Sequence, residues 1–292
     1  DGFRELVMID LHMHTTASDG MLSPTKLVER ARAAGIRTMS VTDHDTMAGV
    51  LEAAAATSAH GMEFLPGIEI TAVADERDVH MLAYFLDPQP QGLSEFLVRQ
   101  RADRIRRAKE MSEKLSALGV PIKIDGLIEE SSASGKAVAR PAVARALVEE
   151  GHCATIQEAF DRWLADGGSA YVARQGASPA EVVTLVARNG GVSALAHPGL
   201  LRRDALIPEL ATVGLGAIEV FHSDHDASAE SRYLKKAKQH GLAVCGGSDF
   251  HGDQHPRAKR FGQVGLPRDK FELLYQRVLQ AHNNVTPSET SI

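Results

Sequence analysis

The chain has 292 residues, 43% of them hydrophobic and 24% charged, the balance of an ordinary globular protein rather than a disordered or fibrous one. No run approaches the roughly 18 apolar residues a membrane span requires, and a formal net charge of −6 speaks against binding double-stranded DNA through charge alone. Cys153 and Cys245 form neither a CxxC pair nor a disulfide framework, and residues 1–8 lack the apolar stretch of a signal peptide, so a cytoplasmic protein is expected.

Short β-rich apolar runs occur at 7–14, 38–44, 63–71, 79–86, 191–197, 217–222 and 242–251, each carrying a polar residue able to coordinate or catalyse. Helices are predicted between them. Ser23-Pro24 offers an N-cap followed by proline at the first helical position, and Gly35 a stop, which frames a helix over 23–34. Others are predicted over 46–60, 178–189 and 227–240, the last two opening at serine- or alanine-rich caps and closing before glycine. Strands alternating with helices of this length imply a mostly parallel sheet. Seven such units point to an α/β fold, a TIM-like barrel with one unit missing, with its reactive groups at the C-terminal strand ends.

Residues 91–174 break the alternation. Apolar positions over 93–118 follow a helical period and stop at Gly119, while 140–150 and 156–164 read as shorter helices. The expected organisation is a barrel in two parts, 1–90 and 175–282, with 91–174 as a helical insertion between the fourth and fifth strands. Residues 283–292 read as a frayed polar tail. Basic and acidic residues nearly balance within the insertion, so the acidic excess and most of the 13 histidines fall on the barrel. That is a first pointer to metal.

The strand ends sharpen it. The period of two along a strand puts His12 and His14 on one face, where they can grip a single cation. Asp19 follows in a tight loop, Thr42-Asp43-His44-Asp45 ends the second run, Glu69 sits in the third and His80 in the fourth. Ala196-His197-Pro198 ends the fifth, and Ser248-Asp249-Phe250-His251 ends the seventh with two potential ligands at i and i+2. Taken singly, each histidine reads as a hydrogen-bonded core residue, Glu69 as an ion-pair partner and Asp45 as a turn or helix cap. Taken together, they would require six strands to gather ligands at one rim by accident. Charges and imidazoles packed that closely are costly unless cations neutralise them.

HxH, the downstream Asp, TDH, the lone Glu, AHP and SDxH, in this order, resemble the PHP (polymerase and histidinol phosphatase) family over 8–90 and 175–281. The resemblance implies a distorted seven-stranded β/α barrel with a trinuclear metal centre. Because of its insertion, the chain looks most like bacterial phosphoesterases that act on nucleoside 3′,5′-bisphosphates, some of which also trim short 5′-phosphorylated RNA. Carried over residue by residue, the resemblance implies nine metal ligands. His12, His14 and Asp249 are given to one ion, His80 and His197 to a second bridged to the first by Glu69, and Asp19, His44 and His251 to a third. Imidazoles and carboxylates without thiolate suit Mn²⁺, Fe²⁺ or Zn²⁺ better than Mg²⁺ or Ca²⁺, and family usage points to Mn²⁺.

His222 is placed to donate a proton to the leaving group or to bind phosphate, the alternative being a structural histidine at a strand end; it and Asp249 are the expected catalytic residues. His225 reads as structural. Residues 131–141 read as a small-residue loop that delivers Lys136 and Arg140 to an anion beside a helix N-terminus. In the resembling subgroup such a loop contacts the second phosphate. Ser134 and Arg174 complete the expected substrate contacts, and the basic run 99–109 reads as a solvated helix face. The expected partner is a phosphorylated nucleotide or short RNA, with no obligate protein partner evident. The alternatives are a histidinol-phosphatase-like or other small phosphomonoesterase and, from another class, a catalytically silent PHP module.

Overall fold

The computed structural model describes residues 8–285. The chain runs β1 (Met8–Asp10), α1 (Pro24–Ala33), β2 (Ile36–Met39), α2 (Val50–Ala59), β3 (Glu63–Phe64), β4 (Gly67–Ala74) and β5 (Arg77–Tyr84). The middle comprises α3 (Ser94–Ala117), α4 (Asp125–Ser134), α5 (Arg140–Glu149) and α6 (Ile156–Ala159), the last prolonged by a π turn over Phe160–Leu164. Then come α7 (Pro179–Arg188), β6 (Val192–Leu195), α8 (Pro198–Leu201), α9 (Leu206–Thr212), β7 (Ala217–His222), α10 (Ala227–Gln239), β8 (Ala243–Gly247) and α11 (Arg268–Val285). Among the described residues no helix is long and apolar enough to cross a membrane.

The strands form two sheets, β1-β2-β3 and β4-β5-β6-β7-β8. The first is parallel, as are the β6–β7 and β7–β8 pairs, but β5 runs antiparallel to both of its neighbours. This corrects the expected count of seven strands in one ring. Among the described residues there are eight, and neither sheet closes on itself. The run 63–71 divides into β3 and β4 at Leu65-Pro66, where proline has no N–H to donate to a ladder. β4 and β5 are joined by Asp75-Glu76, both at positive φ, the conformation tight two-residue hairpins demand. Backbone bonds link the two sheets at their edges: Leu11 N–H to Gly246 O (3.1 Å) and Glu69 N–H to Asp43 O (3.2 Å).

Local chemistry sets the helix ends. Ser23 caps α1 by accepting from the Lys26 N–H, and Ser178 and Glu181 form a reciprocal capping box on α7. α2 starts at Val50 rather than at Thr46, whose Oγ1 donates to Gly135 O at 2.8 Å. Among the described residues four α-helices escaped the sequence reading: α4, α8, α9 and α11. Residues 125–134 are helical, so much of the expected small-residue loop is α4, stopped by Gly135 in the left-handed conformation. The expected tail also begins too early: 283–285 belong to α11, and the rest of it lies outside the described residues.

The apolar faces of β1, β4–β8, α7, α10 and α11 share one core, while Met111, Leu115, Val143, Leu147, Trp163 and Leu164 build a separate one within the middle segment. α3 spans both: Phe96 and Leu97 pack with the body, Ala108 onward with the second core.

Candidate metal centre

β1 ends at Asp10, so His12 and His14 lie just beyond it, in extended chain paired through Met13 to Phe250. The alternation persists. Met13 and Phe250 point into a third apolar cluster, which turns His12 and His14, both fully buried, to the opposite side. Close approach here needs glycine: a Cβ at Gly247 would collide with the His12 backbone nitrogen, and one at Gly20 with the His14 carbonyl. Of the other sequence-predicted ligands, Asp19 comes from the loop between β1 and α1, and the rest from beyond the ends of β2, β6 and β8 and from within β4 and β5. Asp249 (φ 53°) and His197 (φ 26°) do so with left-handed backbone, a local strain of about 1–3 kcal/mol each that the surrounding structure must sustain.

All nine groups converge, and Glu69 is the hub. Its Oε2 lies 3.4 Å from His12 Nε2, 3.3 Å from His14 Nε2 and 3.2 Å from His44 Nδ1. Its Oε1 lies 2.9 Å from His80 Nδ1 and 3.1 Å from His197 Nε2. Asp249 Oδ1 faces His14 Nε2 at 3.2 Å and His251 Nδ1 at 3.4 Å, and Asp19 Oδ1 faces His251 Nε2 at 3.3 Å. Among the groups close enough to share an ion are His12–His14–Asp249, His14–Asp19–His44–His251 and His44–Glu69–His80. The first two match two of the expected sets, with His14 added to the second. The last differs in drawing His44 towards His80.

These side chains fit divalent cations better than they fit one another. His12 Nε2, both ring nitrogens of His14, His44 Nδ1 and His197 Nδ1 are buried without a hydrogen-bond partner, a costly arrangement unless something accepts their lone pairs. His12 shows how one is aimed. Its Nδ1 is 2.9 Å from Glu219 Oε1, an acceptor, so the ring proton belongs on Nδ1 and the Nε2 lone pair points into the site. His251 repeats the device with Nδ1 donating to Asp249 O at 2.9 Å.

His222 is built the other way. Its Nδ1 accepts from the Asp224 N–H at 3.1 Å, so Nε2 carries the proton and points at Asp249 Oδ2, 3.4 Å away.

Without cations the imidazoles titrate in opposite directions. Burial opposes charge on His14, yet Asp249 and Glu69 outweigh it and push the ring up to about 10. Burial, with His14 and His80 nearby, pushes His44 down to about 3. Burial also disfavours ionised Glu69 and Asp249, but the imidazoles around each hold both carboxyls well below their usual range. Protons thus stand where cations would, and metal uptake must release them.

Other expected residues sit elsewhere. Asp45 is no helix cap. Buried, at φ 52°, it takes Arg104 at 2.6 Å and Arg174 at 3.2 Å on one oxygen and the Thr71 N–H at 2.8 Å on the other. Burial works against its charge, but the two guanidiniums bring the Asp45 carboxyl down to about 2. Arg174 is therefore committed to Asp45 rather than offered to substrate, and burial beside Arg104 lowers its own pKa to about 10. The basic run 99–109 is likewise only partly solvated, since Arg104 and Arg107 are buried, Arg107 donating to Val172 O at 3.0 Å. Ser134 donates to Glu130 O within α4. Lys136 pairs with Glu130, and Arg140 with Asp166, each at 2.6 Å. The loop still reaches the body: Ala137 N–H donates to Ala17 O at 3.0 Å, beside the Asp19 loop. His225 is structural, with Nδ1 on Val220 O and Nε2 accepting from the Gly199 N–H.

Four supporting residues were not anticipated. Glu219 orients His12 and accepts from the His197 N–H at 2.7 Å; a lone acid in the apolar run Ala217-Ile218-Glu219-Val220 was its signal. Asp10 holds Ser248 at 2.6 Å, and burial raises its carboxyl to about 6 despite that bond. Asp43 grips Thr15 and Ser18 at 2.6 Å, fixing the loop that carries Asp19. Arg257, from the 3₁₀ turn Pro256–Arg260, reaches Asp249 Oδ2 at 2.8 Å. Nothing in its local sequence marks it.

The PHP domain family matches residues 10–120. A Chromobacterium violaceum protein named 3′,5′-nucleoside bisphosphate phosphatase is 34% identical over 83% of this chain and 87% of its own length. The Escherichia coli 5′-3′ exoribonuclease Rnm is 34% identical over 84% of this chain and 85% of its own. A crystal structure from Bifidobacterium adolescentis, provisionally described as a metal-dependent phosphoesterase, superposes with a TM-score of 0.83 at 35% identity, covering 92% of this chain and 95% of that one. The likeness to enzymes of this kind spans most of each molecule, which sets the silent-module alternative aside. This chain belongs to the PHP family and is a metal-dependent phosphoesterase.

Proposed function

We propose that this chain holds three divalent ions, Mn²⁺ foremost among the metals its ligands suit, and removes the 3′-phosphate of nucleoside 3′,5′-bisphosphates, with short 5′-phosphorylated RNA as a further substrate. The names of the C. violaceum and E. coli relatives support the substrate class. The observation that carries the metal reading is the set of buried imidazole nitrogens that face carboxylates yet have no hydrogen-bond partner among the described residues. His12, His14 and Asp249 would hold one ion, His80 and His197 with Glu69 a second, and Asp19, His44 and His251 a third. Divalent ions supply Lewis acidity towards phosphoryl oxygens and lower the pKa of water.

The chain's own residues do the rest. His222 keeps its proton on Nε2 and gives it to the ribose oxygen as the ester bond breaks. Lys136 and Arg140 bind the second phosphate by exchanging their partners, Glu130 and Asp166, for it. Such half-exposed pairs are worth about 1 kcal/mol or less, so a phosphate dianion displaces them readily. We read the two linked sheets as one distorted barrel, 91–174 as an insertion upon it, and the two free cysteines as the mark of a cytoplasmic protein that needs no obligate partner.

A second reading, a phosphatase of simple monoesters, draws on the same ion pairs, because Lys136 and Arg140 are already neutralised. Phosphate release with Mn²⁺ over mononucleotides, nucleoside bisphosphates, histidinol phosphate and short 5′-phosphorylated RNA separates the two. On our reading Lys136→Ala and Arg140→Ala raise KM for a bisphosphate by about 10-fold or more and leave KM for a monoester nearly unchanged. Equal effects on both substrates would favour the second reading.

A further inference from the structure

We infer that Arg257 is a further catalytic residue, which contacts the phosphoryl group at the edge of the metal centre from its place beside Asp249; the inference rests on the phosphoesterase reading above. Asp249 divides its two oxygens. Oδ1 faces His12, His14 and His251 at 3.2–3.5 Å, whereas Oδ2 faces only His222 Nε2 at 3.4 Å and Arg257 Nη1 at 2.8 Å among the ion pairs of the described residues. One carboxylate therefore marks a boundary, with ligands on one side and two N–H donors on the other.

Both donors are held in place by the same residue. The Asp224 backbone N–H donates to His222 Nδ1 at 3.1 Å, which keeps the proton on Nε2. The Asp224 carboxylate takes Arg257 Nε at 2.7 Å. Ser223 pins the intervening chain to Ser248 O at 2.6 Å, and His255 caps the 3₁₀ turn that carries Arg257 by accepting its backbone N–H. A guanidinium has five N–H donors in a rigid fork, so contacts to two carboxylates leave donors to spare.

Exposure shows where they are available. The Arg257 side chain is 22% exposed, as are parts of His80 and His251, while His12 and His14 are sealed. It thus lines the open side of the centre, from which a substrate arrives. A fixed cation and an imidazole N–H beside one carboxylate oxygen form a donor pair for charge that grows on phosphoryl and leaving-group oxygens as the ester bond breaks.

A purely positioning Arg257 would only hold Asp249, and the two roles separate experimentally. Wild type, Arg257→Gln and Arg257→Lys are loaded with Mn²⁺, and three quantities are read: metal content, calorimetric affinity for inorganic phosphate, and kcat on whichever ester the wild type cleaves. Full metal content with phosphate affinity about 10- to 100-fold weaker in Arg257→Gln, partial recovery in Arg257→Lys, and a fall in kcat would support the inference. Loss of metal, or unchanged phosphate affinity at full metal content, would overturn it. The calorimetric arm needs no turnover, so a wild type that binds phosphate but releases none from nucleotides would count against the proposed substrate and not against Arg257.

Discussion

Two buried polar clusters meet at the peptide between His44 and Asp45, and they are finished to different degrees. On the Asp45 side, guanidiniums and carboxylates neutralise one another: Arg104 and Arg174 on Asp45, with Arg174 and Arg140 also facing Asp78 at 3.7 Å. On the His44 side, imidazoles and acids crowd together with five ring nitrogens lacking a hydrogen-bond partner among the described residues; on the Asp45 side Asp78 Oδ1, Arg107 Nη2 and Arg174 Nε lack one too, but each faces an opposite charge. The first cluster is a joint. Asp45 binds the Thr71 N–H, two residues past Glu69, and Gln100 and Arg104 of α3, so it fastens the middle helices to the strand that carries the hub. The second is a site. A buried cluster of opposed full charges holds structure together, whereas imidazoles gathered round carboxylates could hold a metal ion.

That contrast can be broken at the joint first. Asp45→Ala would leave Arg104 buried without its carboxylate and Arg174 with Asp78 alone, 3.7 Å away, at a cost of about 3–5 kcal/mol, read as a lowered Tm and denaturation midpoint. Because the folded carboxyl titrates at about 2 against an ordinary 3.8, the stability it lends is complete above pH 4 and is lost as pH falls towards 2. The gap in Tm between wild type and Asp45→Asn should accordingly narrow on acidification. A gap that stays constant would mean Asp45 acts through shape and not charge.

A smaller effect sharpens the other side. Glu219→Gln keeps the shape beside His12 but removes the charge that favours the Nδ1 proton. Residues in such a supporting position change metal affinity by about 10- to 100-fold, and a Mn²⁺ titration should show a loss in that range with little change in the fold by circular dichroism. Unchanged Mn²⁺ affinity would show that the orientation of His12 does not depend on Glu219.

The two clusters also differed in how far the sequence disclosed them. The nine candidate ligands, which the fold brings together, were legible because each is a polar residue in or near the end of an apolar run, in short motifs whose order is distinctive. Asp45 does sit in a turn, but the helix-cap reading failed because its partners lie 59 and 129 residues away, and no local pattern links an aspartate to a distant arginine. Glu219 hid inside a strand, where an acid in an apolar run signals a buried partner without naming it. The helix over 125–134 was missed because Ser131, Ser132 and Ser134 weaken helical propensity, although their hydroxyls bond back to carbonyls within or just beyond the helix. The strand count failed at Pro66, whose effect on pairing depends on which edge its missing donor would have faced.

The most direct test of the account is anomalous diffraction at the manganese edge from crystals grown with Mn²⁺. It predicts anomalous peaks enclosed by His12, His14, Asp19, His44, Glu69, His80, His197, Asp249 and His251, with His222 and Arg257 bordering the peaks without ligating them. The same side chains closed on one another by hydrogen bonds, with no peak among them at saturating manganese, would contradict it.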